Sequence, residues 1–142
     1  MKSMIYLEAI RSRVAHLANP SKAAQTKRFF KTGEGQYGEG DTFVGLTMPE
    51  CRQIAKGHSQ VSLGEIEALL QSKIHEERVI ALVCMINCFK SGTHLDREEV
   101  FKLYVRRMEF VNNWDLVDIS APHIVGDYLL EREKTLSQKN EQ

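Results

Sequence analysis

No stretch of this sequence is long and apolar enough for a membrane. The longest strictly apolar run, Val79 to Ile86, is far short of the roughly 20 residues that span a bilayer. The amino terminus also lacks the apolar segment of a secretory signal, so the expected location is cytoplasmic. Cysteine is scarce: Cys51, Cys84 and Cys88 cannot all pair, and without a secretory route they read as reduced, buried thiols. There is no C-x-x-C pair, and Cys84 lies inside the most apolar run, which points to core packing rather than zinc ligation. His75-Glu-Glu-Arg-Val79 lacks the second histidine of a zinc-protease motif, and no serine stands in a G-x-S-x-G elbow. No metal or other cofactor is expected. Net charge is missing too, since 19 Lys+Arg offset 19 Asp+Glu.

What is present suffices for one helical domain over residues 1–142. With 42% apolar residues, a chain of this length buries roughly 68% of its unfolded surface, enough for a core without staples. The zero net charge is a sum of opposed parts. Residues 1–31 carry Lys2, Arg11, Arg13, Lys22, Lys27, Arg28 and Lys31 against Glu8 alone, a net of +6, and the remainder carries −6. A basic patch can bind phosphate even when the total is zero, although basic residues on amphipathic helices are also ordinary solvated faces.

Helix signals recur along the chain. Asn19-Pro20 offers an N-cap followed by proline in the first turn, and Thr47-Met-Pro-Glu50 and Ser62-Leu-Gly-Glu65 both have capping-box spacing. These signals predict helices near 2–17, 21–31, 48–58, 62–72, 75–90, 95–108 and 113–131, with Pro122 breaking or kinking the last. The run from Val79 to Ile86 has no turn residues at either end, which favours a helix sandwiched by neighbours over a buried strand. The class is therefore all-α. Sliding the chain by 37 residues sets Val79, Ile80 and Leu82 over Leu116, Val117 and Ile119, an offset in the range of stacked helical repeats. The same shift sets Ala81 over Asp118, a carboxylate where the earlier unit has a packing residue.

Two segments stand out chemically. Gly33-Glu-Gly35-Gln-Tyr-Gly38 formally matches a dinucleotide fingerprint, but no strand precedes it, and Glu34, Glu39 and Asp41 would repel a pyrophosphate. Five glycines between 33 and 45, with Tyr37, Phe43, Val44 and Leu46 as anchors, instead predict an ordered structural loop. The second segment is Asn112-Asn-Trp-Asp-Leu-Val-Asp-Ile-Ser-Ala-Pro122. Trp114 and Asp118, four apart, share a helical face, while Leu116 and Ile119 can pack inward. Asp115 falls in the first turn, where a carboxylate meets free amides; Asp118 lies beyond it. Asp118 is thus either a surface carboxylate or one placed to stabilise positive charge beside an aromatic face, as a cationic base or an oxocarbenium-like sugar requires. Arg106-Arg107 stand one helix earlier as possible phosphate contacts, with Glu109 beside them as an alternative partner.

Phe30-Lys-Thr-Gly-Glu-Gly-Gln-Tyr-Gly-Glu-Gly-Asp-Thr-Phe-Val-Gly45, then Pro49 and Arg52-Gln-Ile-Ala-Lys56, then Asn113-Trp-Asp-Leu-Val-Asp118 and Ala121-Pro-His-Ile-Val-Gly126, together resemble the DNA alkylation repair enzymes of the AlkD-like family. The resemblance implies an α-α superhelix of HEAT-like repeats whose concave basic face holds double-stranded DNA. It also implies metal-free excision of N3- and N7-alkylated purines by a DNA glycosylase. Trp114 would then contact the lesion nucleotide's sugar and backbone, and Asp118 would stabilise the oxocarbenium-like sugar and position water. Lys27, Arg28, Lys31, Arg106 and Arg107 are the candidate DNA-binding residues. The family's domain is usually longer, so the chain corresponds to roughly its N-terminal two-thirds, and a downstream arginine and second tryptophan have no counterpart before Gln142. The alternative is a non-catalytic helical-repeat module binding DNA or protein. An apolar flank of Ile124, Leu129 and Leu130 could then support self-association.

Overall fold

Helices form where the sequence supplies a cap and an apolar stripe. The computed structural model describes residues 4–29, 41–92, 94–111 and 114–140, and only the backbone of Arg28, Phe29, His94, Leu95, Trp114, Asp115 and residues 137–140. In it α1 spans Ile5–Leu17, α2 Pro20–Phe29, α3 Met48–Gly57, α4 Leu63–Leu70, α5 His75–Ser91, α6 His94–Arg106, α7 Trp114–Ala121 and α8 Asp127–Asn140. A 3-10 turn covers Met108–Phe110, and a π-helical turn at Pro122–Gly126 joins α7 to α8. The two predicted capping boxes are formed: Thr47 and Glu50 close the start of α3, and Ser62 and Glu65 that of α4. Asn19 Oδ1 accepts from the Lys22 amide and so caps α2, whereas Asn112 and Asn113, which precede α7 in the sequence, lie outside the described residues.

The predicted apolar run is the middle of α5, buried on every side from His75 to Ile86. This helix packs against α1, α3, α4, α6 and α7, so apolar residues are needed around its whole circumference rather than on one stripe. Helices α3, α5 and α7 form one row. In the other row α6 packs on α8, and Arg106 at the end of α6 and Arg107 just after it reach Glu67 of α4. The result is an all-α helical-repeat superhelix. The sequence offset also has a structural counterpart, for Val79 and Leu116 are both buried while Ala81 is fully buried and its equivalent Asp118 is exposed.

Residues 41–46 of the glycine-rich segment form an ordered connection; residues 33–40 lie outside those described. Thr42 makes a single parallel bridge with Ile74. The buried Glu76 carboxylate accepts from the amides of Val44, Gly45 and Leu46, the shortest at 2.8 Å from Gly45. Asp41, also buried, stands 3.3 Å from the Arg78 guanidinium, which donates in addition to the carbonyls of Ser72 and Phe110. Burial lowers the pKa of Arg78 from its ordinary value, and the Asp41 charge opposes that shift. Gly45 has φ +87°, and a Cβ there would lie 2.0 Å from the Asn19 carbonyl oxygen. Gly45→Ala is therefore expected to destabilise the fold by about 2 kcal/mol or more, read as a lowered midpoint in chemical denaturation. An unchanged midpoint would show that this corner does not hold the α1–α2 junction.

The last predicted helix differs from expectation in two ways. Pro122, expected to break or kink it, distorts the helix without breaking it: the chain passes through the π-helical turn and stays helical to Asn140. Proline cannot donate to the carbonyl one turn back, and a locally wider turn accommodates the missing bond. In addition, Ile124 is fully buried and does not belong to an exposed flank, whereas Leu129 and Leu130 are half exposed. Three contacts explain why α8 persists. Tyr128 stacks on Phe101 with ring centroids 4.1 Å apart, Arg97 pairs with Glu131 at 2.9 Å, and buried Ser120 lies 2.9 Å from the Tyr104 hydroxyl at the end of α7.

Candidate functional site

Three helices of one row create a cleft of about 850 Å³. From α3 come Arg52 and Lys56, spaced i, i+4 and so on one face. Helix α5 supplies Val83, Ile86, Asn87 and Lys90, again one helical face. Helix α7 contributes Asp118 and Ile119, and His123 follows from the π-helical turn. The floor is apolar where α5 turns its run outward, and the rim is polar. Ile119 serves two purposes, packing against the core on one side and lining the cleft on the other. His123 lies five positions after Asp118, a separation of about 140° round a regular α-helix. The two nevertheless line one cleft, and the helix between them departs from regular geometry at Pro122.

The electrostatics of this cleft follow from where the acids have gone. Glu50 and Glu65 close capping boxes, Glu76 holds the 44–46 amides, Glu77 pairs with Arg11 at 3.2 Å, and Asp41 faces Arg78. Glu67 takes both Arg107 at 2.8 Å and Arg106 at 3.1 Å. Hydrogen bonds from Thr47 lower the Glu50 pKa, and the Arg107 hydrogen bond does the same for Glu67. The acidic surplus after residue 31 is thus largely engaged in internal contacts. Among the described residues, Arg52, Lys56 and Lys90 make no ion pair, and the only carboxylate lining the cleft is Asp118. An open groove with three unpaired cations and one exposed carboxylate attracts a polyanion while keeping a negative charge at one defined point.

The residues singled out from sequence fall in different places. Asp118 is exposed and in the cleft. Trp114 is the first residue of α7, one turn before Asp118 on the same helix, and its side chain is outside the described residues. Lys27 is exposed near the end of α2 and does not line the cleft; the Arg28 side chain and all of Lys31 lie outside the described residues. Arg106, the last residue of α6, and Arg107 after it pair with Glu67, away from the cleft lining, and Arg107 also stands 3.8 Å from Glu109. Reading by sequence alone assigned no role to Arg52, Lys56, Lys90 or His123. The available signal was the recurrence of Arg52 and Lys56 at helical spacing and the polar residues Asn87 and Lys90 that continue one face of the apolar run.

Burial raises the Cys51 and Cys84 thiols to about 12, so both remain protonated at neutral pH, and burial also raises half-buried Cys88. No helix among the described residues is long and apolar enough to cross a membrane. The sequence model of the DNA alkylation repair enzyme family matches residues 10–141. No curated protein and no solved structure is matched by the chain.

Proposed function

Because the chain belongs to the DNA alkylation repair enzyme family, we propose that its cleft takes alkylated double-stranded DNA and that it releases N3- and N7-alkylated purines as a DNA glycosylase. The observation that carries this reading is the exposed Asp118 carboxylate standing among unpaired cations in the α3–α5–α7 cleft. Alkylation at N3 or N7 leaves the purine cationic. When the C1′–N9 bond breaks, the electron pair goes to the base, which departs neutral, and positive charge moves onto the sugar. A carboxylate fixed near C1′ stabilises that developing charge more than it stabilises the ground state, which is the condition for catalysis. Water then adds to C1′ and loses a proton, with the Asp118 oxygens oriented to hold it. Such a leaving group needs no general acid, so one carboxylate can suffice.

Arg52, Lys56 and Lys90 supply phosphate contacts in this reading, and Trp114 contacts the sugar of the lesion nucleotide. Lys27, Arg28 and Lys31 are further candidate phosphate contacts in this reading. Arg106 and Arg107 contribute less to phosphate binding because Glu67 already neutralises them in part.

Duplex affinity should fall with rising salt, and replacing Arg52, Lys56 and Lys90 by glutamine should lower the logarithmic salt slope by about 0.9 for each phosphate that is no longer neutralised. Fluorescence anisotropy over a salt series measures both. A salt-insensitive titration, or a triple variant with the wild-type slope, would remove these cations from a DNA-binding role. The catalytic reading is tested separately by release of free alkylated purine from methylated duplex DNA. Binding without release identifies a non-catalytic helical-repeat module.

A further inference from the structure

A second cationic depression lies on α1. Ala9, Ser12, Arg13 and His16, spaced to share one face of the helix, enclose with His58 a concavity of about 410 Å³ that no acidic residue lines among those described. The opposite face of α1 is the one that holds it in place, burying Leu7, Ile10 and Val14. The two arginines of α1 have different surroundings. Arg11 is tied to Glu77 at 3.2 Å, whereas Arg13, two positions on, is exposed and makes no ion pair among the described residues.

His58 joins this depression to the cleft. It follows the last residue of α3, where free carbonyls would ordinarily disfavour an anion. Here the His58 backbone amide donates to the Ala55 carbonyl, and its Nδ1 lies 2.7 Å from the Ile54 carbonyl. A carbonyl only accepts, so Nδ1 carries hydrogen, and donors of this one residue satisfy two of the last four carbonyls of α3. His58 also lines a small pocket with Ser59, Asn87 and Ser91, and these three line the Asp118 cleft as well. The three depressions therefore share lining residues, each with the next. They run from Arg13 and His16 on α1, over the end of α3, to Lys56, Arg52 and Lys90.

We infer that this strip is an extended phosphate track, in which a duplex seated at the Asp118 cleft continues its sugar-phosphate backbone over His58 to Arg13 and His16. The inference rests on the DNA-binding reading above and adds to it a second contact region on α1. A repeated anionic backbone fits such a strip better than a single small anion does, because the cations are spread along it and interleaved with the hydroxyl and amide groups of Ser12, Ser59, Asn87 and Ser91.

The test compares a duplex just long enough to fill the cleft with one twice that length, each titrated by anisotropy over a salt series. Wild-type protein is expected to bind the longer duplex more tightly and with the steeper slope. Arg13→Glu should weaken binding of the longer duplex several-fold and reduce its salt slope by about 1, and His16→Glu should independently weaken it several-fold. Neither should alter binding of the short duplex. Lys134→Glu on α8, which changes net charge as much as Arg13→Glu and more than His16→Glu, should leave both unchanged. Equal loss on both lengths, equal loss in the Lys134 variant, or no loss at all would overturn the track. If wild-type protein binds neither duplex, the cleft reading itself fails. Binding of the short duplex with no gain from length defeats the track alone.

Discussion

Asp118→Asn is expected to reduce release of alkylated purine from methylated duplex DNA by about 10²- to 10³-fold, the range typical of removing one preorganised electrostatic interaction with a transition state. Asparagine keeps the size of the side chain but not its charge, so it cannot offset the positive charge that develops on the sugar. Folding should be unaffected, because Asp118 is exposed and holds no structural partner among the described residues. Duplex affinity should be unchanged or slightly higher, since a negative charge has been removed from a phosphate-binding cleft. Single-turnover excision alongside anisotropy separates the two effects. Release at the wild-type rate would take Asp118 out of the reaction, and loss of affinity in parallel with release would make it a binding residue.

The largest effect on stability is expected from Glu76→Ala, at about 3–5 kcal/mol. The Glu76 side chain accepts from three consecutive amides, those of Val44, Gly45 and Leu46, and the residue is only 4% exposed. Alanine would leave those donors without their acceptor, with the Gly45 amide buried and those of Val44 and Leu46 partly so. The effect would spread, because the Val44 carbonyl accepts from the Asn19 amide at 2.7 Å and so seats the α1–α2 corner on this connection. Glu76→Gln keeps one acceptor oxygen but exchanges charge-assisted bonds for neutral ones, and it should lose distinctly less. Denaturant midpoints at constant m-value provide the measurement. A loss below about 1 kcal/mol for the alanine variant would mean that water or a rearranged backbone replaces the carboxylate.

Much of the helical pattern was legible because its signals are local. Capping boxes at Thr47 and Ser62 act over three residues, and the apolar run from Val79 to Ile86 is long enough to identify a core helix without knowledge of its neighbours. The continuation of α8 past residue 131 was not legible. It depends on Tyr128 meeting Phe101 and Glu131 meeting Arg97, contacts that cross 27 and 34 positions of sequence. Burial of Ile124 escaped notice for the same reason, since α5 and α6 cover the π-helical turn. At the site, Asp118 stood out because no cap explained it. Arg52, Lys56 and Lys90 did not, because each looks like an ordinary surface cation until α3 and α5 are side by side.

The sequence by itself determined an all-α chain with a carboxylate one turn after its only tryptophan, because helix periodicity and capping are written in neighbouring residues. It also determined that positive and negative charge cancel in total. Only the tertiary structure decided where that balance is local and where it is not. Folding carries Glu50, Glu65, Glu67, Glu76, Glu77 and Asp41 into caps and ion pairs, many of them buried, where an unsatisfied carboxylate would be costly. The cations of α3 and α5 are left unpaired along an open cleft with Asp118 as its single carboxylate among the described residues. A neutral chain can thereby present a basic groove, because charge acts over a few ångströms and only packing determines which charges lie that close.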